Sequence, residues 1–307
     1  MSDTNLRHVL GVKDLASNEI ETIFYRAREF KEKGFSSSVF YQQDPAKAPI
    51  VALAFFEPST RTKLSFDTAA QRLGCKTIGF DNPASTSSAK GEQLEDTIKV
   101  IEQYADALVI RRKEHDTPEV IKRVASKPVI SAGVGSQEHP TQALLDVFTI
   151  KERRDLETID HVVSYGDLAN SRTMFSQVRL LAREGITFSF VAPKQMQIND
   201  EFVDEIKAEG AQVNLFDRID DVIEDVDVLH IIRPQKERWD SDPTEMYSAI
   251  NIDTFSRMKD DAIVLHALPR TGELSPDTDD DPRSIIFDQV ANGVFVRAAL
   301  LEWILTA

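Results

Sequence analysis

One cysteine in 307 residues, Cys75, rules out an intrachain disulfide framework and a thiolate metal site. Set within Gly-Cys-Lys-Thr-Ile it reads as a structural residue, and so sparing a use of thiols is expected of a chain kept in a reducing cytoplasm. Glycine is scarce as well, twelve residues against a usual share of about 7%. Neither GxGxxG nor GxxxxGK(S/T) occurs, which excludes those phosphate loops and makes a small phosphorylated metabolite a better fit than ATP or NAD. No apolar run approaches the ~18 residues of a membrane span, and MSDTNLRHVLGVKD has no signal-peptide core. Positive charge is in deficit, 36 Lys and Arg against 51 Asp and Glu, a net charge of −15. Long-range repulsion then opposes a broad nucleic-acid or anionic-membrane surface, while a small basic pocket stays compatible. The six histidines are scattered without ligand spacing, so no metal centre is expected.

What is present is the composition of an ordinary soluble protein, 41% hydrophobic and 28% charged, at a length suited to two domains of about 150 residues each. Short β-rich runs recur at 49–56, 76–80, 107–111 and 128–133, and again at 161–167, 187–193, 212–217, 227–233 and 262–269. Helical patterns lie between them; Leu94, Ile98, Ile101 and Ala105, for example, form one apolar stripe. The alternation predicts an α/β fold of two domains, each a parallel sheet flanked by helices. Residues 139–155 read as a helix bridging the domains at the midpoint of the chain, and the apolar VANGVFVRAALLEWIL as a helix returning to the first. DTDDDP at 277–282 reads as a solvated loop.

Ligands of open α/β sheets bind beyond the carboxyl ends of the strands, and the unusual residues fall there. Ser59-Thr60-Arg61-Thr62 follows run 49–56, Arg111 ends 107–111, and His139 lies beyond 128–133. Asp167 and Arg172 follow 161–167, Arg233 ends 227–233 with Gln235 just beyond it, and Leu268-Pro269-Arg270 closes 262–269. At Ser59–Thr62 a strand turns into an amphipathic stretch carrying Leu64, Phe66, Ala69, Ala70 and Leu73. A helix start leaves backbone N–H groups free and carries the positive end of the dipole, so hydroxyls and a guanidinium placed there are suited to phosphate. An N-capped helix with an exposed arginine is the plainer alternative.

PSTRTKLSFDTAAQRLG, TSSAKGEQLEDT, HPTQALLD, RPQKER and HALPR resemble the catalytic chains of the aspartate carbamoyltransferase family, over residues 7–302. STRT and HPTQ are shared with the ornithine enzymes, whereas R-x-Q-K-E-R separates the aspartate branch. The resemblance implies transfer of a carbamoyl group from carbamoyl phosphate to L-aspartate in pyrimidine biosynthesis, with no cofactor and no metal. It implies a carbamoyl phosphate-binding domain at 1–141, joined by a C-terminal helix at about 291–307, an aspartate-binding domain at 142–290, and an active site in the cleft between them. It places Ser59, Thr60, Arg61, Thr62 and Arg111 on the phosphate, Arg61, Thr62 and His139 on the carbamoyl oxygen, and Gln142 and the Leu268 carbonyl on the carbamoyl amide. Arg172, Arg233 and Gln235 would grip aspartate, and Ser87 and Lys90 would enter from a neighbouring subunit of a homotrimer.

Aspartate brings two carboxylates, for which Lys90, Arg172 and Arg233 are suitable cations, whereas ornithine would call for an acid at that point. Two departures stand out: Ala267 precedes Leu268 where proline or glycine is common in the aspartate branch, and Ala89 leaves Lys90 as the only lysine of its loop. Leu268-Pro269 is a candidate cis bond. Glu57 reads as a brace for Arg111 or Arg61, or as a turn residue; Arg270 and Arg297 read as braces of the domain interface or phosphate loop; Asp167 reads equally as a cap or a ligand group. A regulatory chain or a dihydroorotase partner stays open, as does a scaffold role for the same fold, although a scaffold would not require Arg61, Lys90, Arg111, His139, Arg172 and Arg233 at strand ends.

Overall fold

A computed structural model of the chain describes residues 6–41, 43–82, 91–135, 138–236, 239 and 248–306. It divides into two compact units, Met1–Leu145 with Asn292–Ala307, and Asp146–Ala291.

The first unit holds a five-stranded sheet. Its strands are β1 (His8–Val9), β2 (Ile50–Phe55), β3 (Lys76–Phe80), β4 (Ala107–Arg112) and β5 (Val129–Val134), in the order β1-β5-β4-β2-β3 and parallel throughout. Helices α1 (Ser17–Lys33), α2 (Thr60–Leu73), α3 (Leu94–Ile101), α4 (Thr117–Val124) and the start of α5 (Pro140–Lys151) belong to it. A parallel strand covered on both faces reads as an unbroken apolar run, and β2 and β5 are of this kind. The edge strand β3 is instead largely exposed. Ala52, Ala54, Leu108 and Ile110 pack with Leu94 and Ile98 of α3 and Val120 and Ile121 of α4. In α2 the stripe Phe66, Ala69, Ala70, Leu73 is buried, but Leu64 points outward and is 59% exposed. Gly74 ends α2 in the left-handed region at φ 90°, where a Cβ would also come within 2.9 Å of the Phe40 carbonyl oxygen. Cys75 beside it is buried, which pushes its thiol up to about 12 and leaves it without thiolate reactivity at neutral pH.

The second unit repeats the architecture with β6 (His161–Gly166), β7 (Thr187–Val191), β8 (Gln212–Phe216), β9 (Val228–Ile232) and β10 (Ile263–His266), ordered β10-β9-β6-β7-β8 and again all parallel. Its helices are the end of α5, α6 (Arg172–Leu181), α7 (Asp200–Ala208), α8 (Ile252–Phe255) and the first turns of α9 (Ile286–Leu305). One face of the sheet, with Val163, Tyr165, Leu229, Ile231 and Val264, packs on Ile223, Ile250, Phe255 and Met258. Both unit boundaries thus fall inside helices, α5 and α9.

Three features depart from the sequence expectations. β1 is a two-residue strand beside β5, too short to show periodicity. The helix predicted over 139–155 stops at Lys151 and a 3-10 turn, Leu156–Thr158, follows. The acidic 277–282 stretch is not merely solvated: Asp279 pairs with Arg270, Asp281 with Arg283, and Thr278 is fully buried.

Asp227, just before β9, is 3% exposed and gathers four donors. Its Oδ1 accepts from Lys259 Nζ at 2.9 Å and Arg154 Nη1 at 3.2 Å, and its Oδ2 from the N–H groups of Asp160 and His161, both at 2.9 Å. Burial alone would raise its carboxyl, but Lys259 and the two amides outweigh it and hold the group below the usual carboxylate range. A carboxyl lowered in the folded state contributes stability above its unfolded pKa and loses it as pH falls through the folded one. Asp227→Ala is therefore expected to cost about 1–3 kcal/mol at pH 7, the scale of leaving such donors without their acceptor, with the difference shrinking below about pH 4. Urea unfolding of both proteins at a series of pH values measures this.

Candidate functional site

In the first unit the carboxyl ends of the neighbouring strands β2, β4 and β5 carry the residues singled out from the sequence. β2 ends at Phe55, paired in register with Arg111 of β4, and the Phe56 N–H donates to the Arg111 carbonyl at 2.8 Å. Ser59 is the N-cap of α2, yet its hydroxyl makes no capping bond, so the capping part of the plainer alternative fails, whereas its exposed arginine is present. Thr60 and Arg61, in the first turn, are exposed, and Thr62 is buried on the inner face. Ser59, Thr60 and Thr62 thus set hydroxyls around a helix start that carries the positive end of the dipole.

Arg111 is held from two sides. Its Nε lies 2.7 Å from Oε1 of Glu57, and its Nη1 donates to the Ala132 carbonyl of β5 at 3.1 Å. Glu57 is buried, and a buried carboxylate requires such a partner. Of the two cations considered for Glu57, the structure shows Arg111. His139 stands before α5, 4% exposed, and its carbonyl accepts the N–H groups of Gln142 and Ala143. Gln142, in the first turn of α5, is partly buried. Behind α2, the buried Arg297 donates to Ser65 Oγ at 2.8 Å and lies over the Phe66 ring. Gly293 makes room for it, since a Cβ there would stand 2.5 Å from Arg297 Nη1. Arg297 therefore braces the helix that the Ser59–Thr62 turn opens.

In the second unit β6, β9 and β10 are neighbours and again deliver the selected residues at their carboxyl ends. Arg172 is the first residue of α6, whose N-cap Ser171 accepts from the Met174 N–H at 3.3 Å. Arg233 follows β9 and donates to the Pro234 carbonyl at 3.0 Å. The Gln235 side-chain amide donates to the Asn170 carbonyl, and the Gln235 N–H donates to Asp167 Oδ2 at 2.9 Å. Asp167 is fully buried and also accepts from Asn170 and Trp239. It ties the loop after β6 to the loop after β9, a role that position alone left undecided.

Beyond β10, Leu268 adopts φ 55° before a cis bond to Pro269. The Leu268 N–H donates to Nδ1 of His266 at 2.8 Å. A backbone N–H can only donate, so Nδ1 is the acceptor and the ring proton sits on Nε2, 2.7 Å from Oε1 of Glu273. Burial would raise the Glu273 carboxyl, but bonds from His266 and the backbone hold it below the usual range. Its Oε2 accepts from the N–H and hydroxyl of Thr271, and the His266 N–H donates to Gln289, which in turn donates to Asp146. Arg270 pairs with Asp279 and lies toward the Phe287 ring. Ser87 and Lys90 lie outside the described residues.

Each unit thus presents a sheet end lined with cations, joined in the first by hydroxyls, the layout of an α/β protein for small anionic substrates. The chain belongs to the aspartate/ornithine carbamoyltransferase family. Residues 7–152 match the family model for the carbamoyl-P binding domain, and residues 160–304 that for the Asp/Orn binding domain. It is 38% identical to aspartate carbamoyltransferase catalytic subunit 2 of Shewanella halifaxensis, across 98% of this chain and 96% of that one. It is also 38% identical to a stretch of the multifunctional protein pyr1-3 of Dictyostelium discoideum, across 100% of this chain and 14% of that protein. Among solved structures it superposes on Trypanosoma cruzi aspartate transcarbamoylase in complex with carbamoyl phosphate and aspartate, with a TM-score of 0.86, 31% identity, and coverage of 97% of this chain and 96% of that one.

The anchor below Leu268 can be tested by Glu273→Gln. An amide has one acceptor oxygen, so its NH2 must face either His266 Nε2–H or the Thr271 donors. The variant is expected to lose about 1–3 kcal/mol of stability. Urea denaturation measures the loss, and an unchanged midpoint would show that the carboxylate does not carry this anchor.

Proposed function

We propose that the chain transfers the carbamoyl group of carbamoyl phosphate to the amine of L-aspartate, giving N-carbamoyl-L-aspartate and phosphate, a step of pyrimidine biosynthesis. One observation supports the reading: within a family of this chemistry, cations stand at adjacent strand ends in both units, with hydroxyls beside them in the first. Ser59, Thr60, Arg61, Thr62 and Arg111 bind the phosphate, and Ser87 joins them from a neighbouring subunit. Arg61, Thr62 and His139 donate to the carbamoyl oxygen, while Gln142 and the Leu268 carbonyl hold the carbamoyl amide. Arg172, Arg233 and Gln235, with Lys90 of a neighbouring subunit, bind the two carboxylates of aspartate.

These roles follow from where charge develops. Attack by the amine on the carbamoyl carbon moves negative charge onto its oxygen, and donors already in place stabilise it without rearranging. Holding two charged substrates together supplies a second large contribution, up to roughly 7–11 kcal/mol in favourable cases. The bond from carbon to the bridging oxygen then breaks, phosphate leaves, and the departing phosphate is the acceptor for the amine proton. The reading includes a homotrimer with shared sites and a cytoplasmic setting.

Purified protein supplied with carbamoyl phosphate and either L-aspartate or L-ornithine is expected to form ureido product with aspartate alone. Product with ornithine instead would keep the phosphate cradle and overturn the roles given to Arg233 and Gln235; none with either would favour the scaffold role. Shared sites carry a separate expectation. Inactive Arg61→Ala and Lys90→Ala proteins, mixed and reassembled, should regain part of the activity because some sites then draw both intact residues from different subunits, whereas mixtures as inactive as their parents would contradict sharing.

A further inference from the structure

A fully buried carboxylate has to collect donors, and the three that Asp167 collects are unequal in kind. Asn170 Nδ2 reaches its Oδ1 at 3.0 Å from the same loop. Its Oδ2 receives the Gln235 backbone N–H at 2.9 Å and the Trp239 indole Nε1–H at 2.8 Å, both from beyond β9. The Trp239 N–H also donates to the Lys236 carbonyl at 3.2 Å, which holds Trp239 close to the end of segment 233–236. An indole nitrogen only donates, and a bond to a carboxylate is stronger than one between neutral groups. With only two side-chain torsions to fix, the ring is also an inexpensive anchor in entropy. Segment 233–235 is thus pinned at Asp167 by its own amide and, four residues on, by Trp239.

We infer that Trp239 is a positioning residue for the second substrate: by donating to Asp167 beside the Gln235 amide, it sets the course of the segment that presents Arg233 and Gln235. The inference rests on the reading of those two residues as contacts of aspartate. It goes beyond that reading in assigning the selectivity of the effect. The bond joins two loops of the second unit, so its loss weakens aspartate and spares carbamoyl phosphate.

Trp239→Phe keeps an aromatic ring and removes the donor. The KM for aspartate is expected to rise about tenfold, the scale of one hydrogen bond to a charged group, while the KM for carbamoyl phosphate stays within about twofold. If Trp239 acts through Asp167, the same substitution made in an Asp167→Asn background adds little, because the two changes remove one interaction. Arg233→Ala is the control for the underlying reading. If it raises the KM for aspartate and Trp239→Phe does not, the positioning role is overturned while the substrate reading stands. If Arg233→Ala itself leaves that KM unchanged, the substrate reading falls and takes this inference with it. A second measurement needs no change at position 239. The chain has two tryptophans, Trp239 and Trp303, so a Trp303→Phe protein reports on Trp239 alone. Its emission is expected to shift when Asp167→Asn is added, and to respond to the unreactive dicarboxylate succinate in the presence of carbamoyl phosphate. Emission indifferent to both would overturn the bond and its role together.

Discussion

Parallel pairing is the constraint on which both units are built. Two parallel strands cannot be joined by a tight turn; the chain has to cross back over the sheet, here mostly through a helix, before the next strand begins. Among the described residues all ten strands are paired this way, so in each unit every strand delivers its carboxyl end to the same side. Ser59, Arg111 and His139 become neighbours at one sheet end although 80 residues of chain separate the first from the last. Arg172, Arg233 and Leu268 do so at the other. In each unit the order of strands reverses beside the strand that opens the group, between β2 and β4 and between β6 and β9. That reversal opens the crevice in which a ligand of such a sheet sits.

Cations gathered in this way have to be oriented, and buried carboxylates supply the orientation. Glu57 holds Arg111, Asp167 holds the segment carrying Arg233 and Gln235, and Glu273, through His266, holds the amide of Leu268. Each is buried, and each has donors in place. A net charge of −15 and a cationic site are thus compatible in one molecule, because some acids are spent on placing basic or polar groups rather than on repelling anions. Elsewhere the same device is purely structural: Asp227 ties Lys259, Arg154 and two amides near the start of β9.

Much of this was legible beforehand, for identifiable reasons. Buried parallel strands are unbroken apolar runs, so all but one of the strands announced themselves; β1, two residues long, has too few positions to carry a period. The phosphate-suited turn was visible because Ser59-Thr60-Arg61-Thr62 sits between an apolar run and a helical stripe. Leu64 belongs to the apolar residues of that stretch but lies on the outer face of α2. The acids of 277–282 look solvated when counted as charges, and only the return of the chain past Arg270 and Arg283 gives two of them partners. Trp239 carried no signal at all, since its meaning depends on a carboxylate 72 residues earlier.

The sequence by itself determined the class of the fold, the strand ends on which chemistry could sit, and the family. Those properties are local: apolar period, turn residues and short motifs act over a few neighbouring positions. Only the tertiary structure decided which acid holds which cation, which tautomer His266 adopts, and that Asp167 joins the loops after β6 and β9. Such pairings are set by directions and distances of a few ångströms between residues remote in the chain, where one hydrogen bond is made or lost by a small displacement.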